Sequence, residues 1–127
     1  MSYKEKSYLI VDDMKVLRKV LSNTLVKFGI PQENIHLAED GKEAIEKLKG
    51  ANVDVIFSDW NMPVMDGLEF LKFCKASEDF KKIPFIMLTS EADKDNVVKA
   101  MEVGVNGYLL KPVQMDQLLL KISTMFK

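Results

Sequence analysis

The segment VDVIFSDWNMPVMDG, which runs from Val53 to Gly67, places a run of apolar residues just ahead of a carboxylate. The β-branched and aromatic residues within Val53–Phe57 predict a short strand that is buried on both faces, as in a parallel sheet. Asp59 follows this strand. A carboxylate in such a place must be solvated, hydrogen-bonded or paired, because an isolated buried charge is very costly.

A second segment, SYLIVDD at residues 7–13, has the same design. Tyr8–Val11 predicts another buried strand, and Asp12 and Asp13 follow it directly. Two apolar strands that each end in acidic residues indicate a site rather than coincidence.

The remainder of the chain alternates between short apolar runs and amphipathic segments, which predicts further strands and helices. The other strands are expected at Ile35–Ala38, Phe85–Leu88 and Tyr108–Leu110. The first helix is ended by Gly29 and Pro31, and its apolar face comprises Leu17, Val20, Leu21, Thr24, Leu25 and Phe28. The next two helices begin at the capping motifs Asp40-Gly-Lys-Glu43 and Asp66-Gly-Leu-Glu69. The last two helices are expected at Lys94–Val103 and Met115–Phe126.

Strict alternation of strands and helices predicts a doubly wound α/β fold, in which parallel strands have helices on both faces. In such sheets ligands bind beyond the carboxyl ends of the strands. Asp12, Asp13 and Asp59 are expected at this edge. Thr89-Ser90 follows the fourth strand and Lys111-Pro112 follows the fifth, so every candidate group lies at one edge of the sheet.

Three clustered carboxylates need cations, because two of them ~4 Å apart repel by about 4 kcal/mol at an effective dielectric of ~20. Lys111 supplies one positive charge, and a ligand set of oxygens without histidine or thiol favours Mg²⁺ or Mn²⁺. A carboxylate beside such an ion and a lysine is equipped to attack a phosphoryl group and form an acyl phosphate. Thr89 offers a hydroxyl donor to one phosphoryl oxygen. The alternative is that these acids and Thr89 only cap helices and turns.

Composition argues against several classes of protein. With 127 residues and a net charge of −1, the chain fits one domain without general affinity for nucleic acid or anionic membrane. It has no apolar run near the ~18 residues that a membrane span needs, and its N-terminus does not resemble a signal peptide. The single cysteine, Cys74, fits a reducing cytoplasm and shares a helical stripe with Phe70 and Leu71, which predicts a core thiol.

The set Asp12-Asp13, Asp59, Thr89 and Lys111-Pro112 resembles the receiver domains of two-component response regulators. The stretch SDWNMPVMDGLEFLK, residues 58–72, is especially similar to single-domain chemotaxis members of that family. The resemblance implies one receiver domain over residues 1–127, with no output domain. It also implies a flavodoxin-like sheet of five parallel strands in the order 2-1-3-4-5.

The resemblance further implies a role for each residue of the site. Asp59 would accept a phosphoryl group from a histidine kinase, Lys111 would contact that group, and Thr89 would follow it. Mg²⁺, or Mn²⁺ in its place, would be held by Asp13, Asp59 and the backbone carbonyl of Asn61, with Asp12 acting through water. The Lys111-Pro112 bond is expected to be cis.

Output and signal lifetime are implied by the same resemblance. Tyr108 would turn from an exposed to a buried position when Thr89 moves. Asn61 and Glu91 lie two residues after the phosphoacceptor and two after Thr89, and they would tune dephosphorylation. The partner face would comprise Lys94, Tyr108, Leu120 and Lys121.

The implied partners are a chemotaxis-type histidine kinase as donor, the flagellar motor switch protein as target, and a phosphatase as a further candidate. We expect a cytoplasmic monomer that neither binds nucleic acid nor inserts into membranes. A stand-alone receiver that serves as a phosphorelay intermediate or phosphate sink is the alternative function. A flavin carrier is disfavoured by acids in the first loop, and a haloacid-dehalogenase-type phosphatase by Asn61, which occupies the place of its second aspartate.

Overall fold

The computed structural model describes residues 2–90 and 94–126, with the exception of the side chain of Lys94. Five parallel strands form one sheet in the order β2-β1-β3-β4-β5, as the resemblance implied. The strands are β1 Tyr8–Val11, β2 Ile35–Ala38, β3 Val55–Asp59, β4 Phe85–Thr89 and β5 Gly107–Leu110. The helices are α1 Lys15–Lys27, α2 Gly41–Gly50, α3 Gly67–Ala76, α4 Lys94–Val103 and α5 Met115–Met125, and Tyr3–Glu5 and Gln32–Asn34 form short 3₁₀ turns.

The third strand lies two residues later than predicted, because its bounds follow main-chain pairing and not hydrophobicity. Its ladder with β1 begins where Val55 faces Tyr8. Just before it, Asp54 is held outside the strand by Ser7, whose N–H donates to the Asp54 carboxylate at 2.8 Å. At the other end the ladder with β4 continues until Asp59 faces Leu88. Asp59 is therefore the last residue of β3 and not a residue of the loop.

Apolar side chains fill both faces of the sheet, which explains why the strands lack polar alternation. Along β1, Tyr8 and Ile10 face one side with α1 and α5, while Leu9 and Val11 face the other side. The apolar cluster on the side of Leu9 and Val11 also contains residues of α2, α3 and α4, among them Ala44, Phe70, Leu71 and Ala100. The two packed faces hold the carboxyl ends of the strands in a fixed register.

The predicted capping motifs lie at the starts of α2 and α3, complete at α3 and with the Asp40 half formed at α2. At α3, Asp66 accepts from the Glu69 N–H at 2.9 Å and the Glu69 side chain accepts from the Asp66 N–H at 3.2 Å, which completes a capping box. At α2, the Asp40 carboxylate accepts from the Glu43 N–H at 2.8 Å.

On α1, Val20 is 52% exposed although it belongs to the predicted apolar face. It lines an open groove beside the loop that follows β5 and does not pack on the sheet.

Within the described part of the chain, no helix combines the length and the apolar character that crossing a membrane requires.

Cys74 is a buried core thiol, as its helical stripe predicted, and burial raises its pKa from 9.0 to about 12. Because the thiolate is the reactive form, we expect the folded protein to resist an aromatic disulfide reagent at pH 8. One thiol should react promptly after unfolding in guanidinium chloride. Rapid labelling of the native protein would contradict this assignment.

Candidate functional site

Three carboxylates meet at the carboxyl edge of the sheet. Asp12 and Asp13 follow β1 and Asp59 ends β3, and one oxygen from each lies within 4.8 Å of the other two. Asp12 and Asp59 are buried, whereas Asp13 is exposed. This spacing fits a single small cation with oxygen ligands at about 2.1 Å, and the exposed side leaves room for water ligands. The donor set therefore suits Mg²⁺ or a similar hard ion.

The ammonium group of Lys111 bridges the two buried acids. Its Nζ atom lies 2.9 Å from Oδ2 of Asp12 and 3.1 Å from Oδ1 of Asp59. The lysine is fixed at its backbone, where its N–H donates to the Thr89 carbonyl at 2.7 Å. The bond to Pro112 is cis, as expected. Burial alone would lower the pKa of Lys111, but hydrogen bonds to the two carboxylates raise it, so the amine stays charged.

Every polar group of Asp12 is engaged. Its N–H donates to the Ala38 carbonyl at 3.0 Å, and its Oδ1 atom accepts from the Met14 N–H at 2.9 Å. Its own carbonyl accepts from Nη1 of Arg18 at 2.6 Å. Arg18 was not predicted as part of this site. Its position in the first turns of the helix after the acidic pair is the one signal that could have pointed to it.

Asp59 is held less completely than Asp12. Its Oδ1 atom accepts from the Trp60 N–H at 2.8 Å as well as from Lys111. Burial raises the pKa of Asp59, the Lys111 hydrogen bond and charge oppose that rise, and repulsion by Asp12 adds to it. Without a further cation, the surroundings of Asp59 therefore destabilise its ionised form.

The loop after β3 folds back against the end of its own strand. The Gly67 N–H donates to the Trp60 carbonyl at 2.8 Å, and a Cβ atom at Gly67 would lie 2.3 Å from the Asp59 carbonyl oxygen. A glycine is therefore required at this close approach. Together with Asp13, the loop lines an open cavity of about 470 Å³ with Asn61, Met62, Pro63 and Asp66. Asn61 thus lies beside the acids, and Asp66 is a second residue that sequence reasoning did not place there.

The family model of the response regulator receiver domain matches residues 8–123. The chain belongs to this family. It is 37% identical to chemotaxis protein CheY-3 of Vibrio cholerae over 124 residues, which cover 98% of this chain and 94% of that protein. It is 39% identical to chemotaxis protein CheY of Pseudomonas aeruginosa over 119 residues, or 94% of each. The solved structure of Vibrio cholerae CheY4 superposes with a TM-score of 0.86 at 37% identity and covers 94% of this chain and 97% of that one.

Thr89 and Tyr108 of this receiver domain lie on neighbouring strands. Thr89 is the last residue of β4 and is buried, whereas Tyr108 on β5 is 46% exposed. Both line a cavity of about 10 Å³ whose wall also includes Trp60 and Asn96. The structure therefore brings the two predicted switch residues together, with the tyrosine partly outside.

The predicted partner face of the receiver domain lies on α4, β5 and α5. Leu120 is 66% exposed, and with Lys121 it lines a groove of about 630 Å³ next to Leu109 and Ile86. The Lys121 amine passes over Gly107, where a Cβ atom would lie 3.3 Å from Nζ. The side chain of Lys94 and the whole of Glu91 lie outside the described residues.

The raised pKa of Asp59 predicts that this acid destabilises the metal-free fold at neutral pH. The folded state holds the proton more tightly than the unfolded chain, so stability falls as pH rises from the ordinary value of 3.8 through the raised value. Asp59→Asn should therefore raise the melting temperature at pH 7, by roughly 3–5 °C for each kcal/mol gained.

The measurement is thermal unfolding in EDTA between pH 3 and pH 8. The gain should shrink as pH falls through the raised pKa of Asp59 toward 3.8, because the folded wild-type carboxyl takes up a proton over that range. Asp79→Asn changes an exposed acid away from the site and serves as the control. A less stable Asp59→Asn variant at pH 7 would contradict the prediction.

Proposed function

We propose that Asp59 accepts a phosphoryl group from a CheA-like histidine kinase with Mg²⁺, and that the phosphorylated protein binds the flagellar motor switch in chemotaxis. The observation that carries the proposal is the Lys111 ammonium shared between Asp12 and Asp59 at 2.9 and 3.1 Å. Membership of the receiver family and similarity to chemotaxis proteins of Vibrio cholerae and Pseudomonas aeruginosa support it.

Asp13, Asp59 and the backbone carbonyl of Asn61 would hold the ion. Asp12 would act through water, since both of its carboxylate oxygens already accept hydrogen bonds from Met14 and Lys111. Asp13 differs, because it is exposed at the rim of the cavity that it shares with Asn61. When bound, Mg²⁺ supplies positive charge to the phosphoryl oxygens, and Mn²⁺ can substitute for it.

Asp59 acts as the nucleophile. Its carboxylate oxygen forms a bond to phosphorus as the bond from phosphorus to the donor histidine nitrogen breaks, and the departing imidazole takes up a proton. The charged Lys111 ammonium lies close enough to Asp59 to contact the phosphoryl oxygens, and the Thr89 hydroxyl donates to one of them. The Trp60 N–H keeps the carboxylate oriented at the end of β3. The protein is thus a phosphoacceptor that promotes its own modification, and not an enzyme with a separate substrate.

Asn61 and Glu91 set the lifetime of the phosphorylated form. Both are polar and able to hydrogen-bond a water that attacks the acyl phosphate in line, which favours a short-lived signal. Rapid loss of the phosphoryl group suits control of movement.

Output runs from Thr89 to the face formed by α4, β5 and α5. Movement of the Thr89 side chain toward the phosphoryl group alters the small cavity that it shares with Tyr108. Leu120 and Lys121 border a separate groove against α5, which offers an apolar floor with the Lys121 ammonium at its edge. A target segment with apolar and acidic residues fits this chemistry, and we assign the face to the motor switch protein.

A phosphorelay intermediate is the second candidate function. A groove of about 380 Å³ lined by Leu17, Val20 and Val113 opens directly beside Lys111. An apolar surface so close to the reacting carboxylate suits a second histidine protein that receives the phosphoryl group.

Phosphorylation itself can be tested without a protein partner. Incubation with a small acyl-phosphate donor and Mg²⁺ should add one phosphoryl group that is lost in alkali, as measured by intact-mass spectrometry. Asp59→Asn should abolish the addition, because an amide is not a nucleophile here. Asp13→Ala should raise the Mg²⁺ concentration for half-maximal rate by about tenfold or more. Addition to another residue in Asp59→Asn would sink the assignment.

Coupling to the target can be tested with a peptide from a flagellar motor switch protein. Phosphorylation should raise peptide affinity by roughly 5- to 150-fold, the usual range for coupled sites. Thr89→Ala should bring this ratio toward one while phosphorylation persists. Leu120→Ala and Lys121→Ala should weaken peptide binding in either state, whereas Lys82→Ala, a surface change elsewhere, should not. Equal affinity with and without phosphate would favour the relay function.

A further inference from the structure

The guanidinium group of Arg18 contacts the backbone that joins the two acids after β1. Its Nη1 atom donates to the Asp12 carbonyl oxygen at 2.6 Å, in a partly buried position. This carbonyl belongs to the peptide unit between Asp12 and Asp13. Because a peptide unit is planar, fixing its oxygen also fixes the direction of the Asp13 N–H and the start of the Asp13 backbone.

The two acids differ in how much they need this support. Asp12 is fixed by Ala38, Met14 and Lys111 in addition to Arg18. Asp13 is exposed, and no hydrogen bond or ion pair from residues 2–90 or 94–126 holds its carboxylate. The direction of the Asp13 side chain therefore depends on the backbone that precedes it.

We propose that Arg18 is a positioning residue for the metal-binding acids: it fixes the Asp12–Asp13 peptide and thereby aims the Asp13 carboxylate toward Asp59. The inference rests on the proposed magnesium site and deepens it. A charge-assisted bond from a rigid guanidinium is short and directional, which suits the task of fixing a peptide plane.

The sign of the effect separates positioning from simple electrostatics. A positive charge close to the acids repels Mg²⁺, so its removal should tighten metal binding if charge alone matters. Loss of the hydrogen bond instead frees the Asp13 backbone and should weaken metal binding. Arg18→Met removes both the charge and the donors while keeping an unbranched apolar side chain, so the two mechanisms predict opposite results.

The experiment measures the dissociation constant of Mg²⁺ alone by calorimetry, with the emission of Trp60 as a second reading. Arg18→Met should weaken binding by about tenfold, as is typical when the supporting contacts of a metal ligand are lost. Arg18→Lys, which keeps a charged donor, should recover part of the loss. Lys19→Met removes a neighbouring exposed cation of α1 and should not weaken binding.

A double-mutant cycle tests whether Arg18 acts through Asp13. In an Asp13→Asn background, adding Arg18→Met should change the dissociation constant by no more than about twofold. Tighter binding by Arg18→Met, or unchanged binding with a lower melting temperature, would overturn the proposal. A full tenfold loss in the Asp13→Asn background would overturn it as well. Absence of Mg²⁺ binding by the wild-type protein would instead refute the proposed metal site on which the inference depends.

Discussion

The bridge from Lys111 to Asp12 and Asp59 is the interaction on which the site depends. Two carboxylates at this spacing repel by several kcal/mol, and burial makes each charge costlier. The lysine that offsets the repulsion lies 99 residues after Asp12 in the chain. Only the strand order, which places β1 beside β3 and β3 beside β4, brings the carboxyl ends of β1, β3 and β5 within reach of one side chain. The charge cluster therefore depends on the fold, because residues so far apart in sequence meet only at this edge of the sheet.

This arrangement leaves the protein with a charge that is only partly neutralised. Among the described residues, Lys111 is the ammonium that pairs with Asp12 and Asp59 in this group of three carboxylates, and burial raises the pKa of Asp59 in spite of its lysine partner. A site with this excess of negative charge is expected to attract a divalent cation, or a phosphoryl group that is already bound to one. The same excess of negative charge that destabilises the metal-free fold would attract a cation, so the proposed metal site costs the fold stability.

Sequence patterns predicted the elements well and the details of the site less well. Apolar runs that end in Asp12-Asp13 and Asp59 located the functional edge, because buried parallel strands leave few other places for acids. The strand order came from family resemblance, since alternation alone does not decide which strands are neighbours. The two-residue shift in the bounds of β3 and the contact of Arg18 with Asp12 were not predicted. The bounds of β3 depend on main-chain pairing, which any side chain permits. The Arg18 guanidinium donates to a main-chain carbonyl, an acceptor that every residue carries and that the sequence therefore does not single out.

The path from the site to the surface follows from how tightly Thr89, Trp60 and Tyr108 are packed. Their shared cavity of about 10 Å³ has room for about one water molecule and is many times smaller than a phenol ring. Tyr108 therefore cannot turn inward unless Thr89, Trp60 or α4 moves first. Trp60 follows Asp59 and its N–H donates to the Asp59 carboxylate, so a change in charge at Asp59 would act on a residue that lines the cavity. In the proposed function, this small void beside a partly exposed tyrosine is what would couple the surface of β5 to chemistry at the end of β3, because a packed core admits two discrete arrangements more readily than a continuous range.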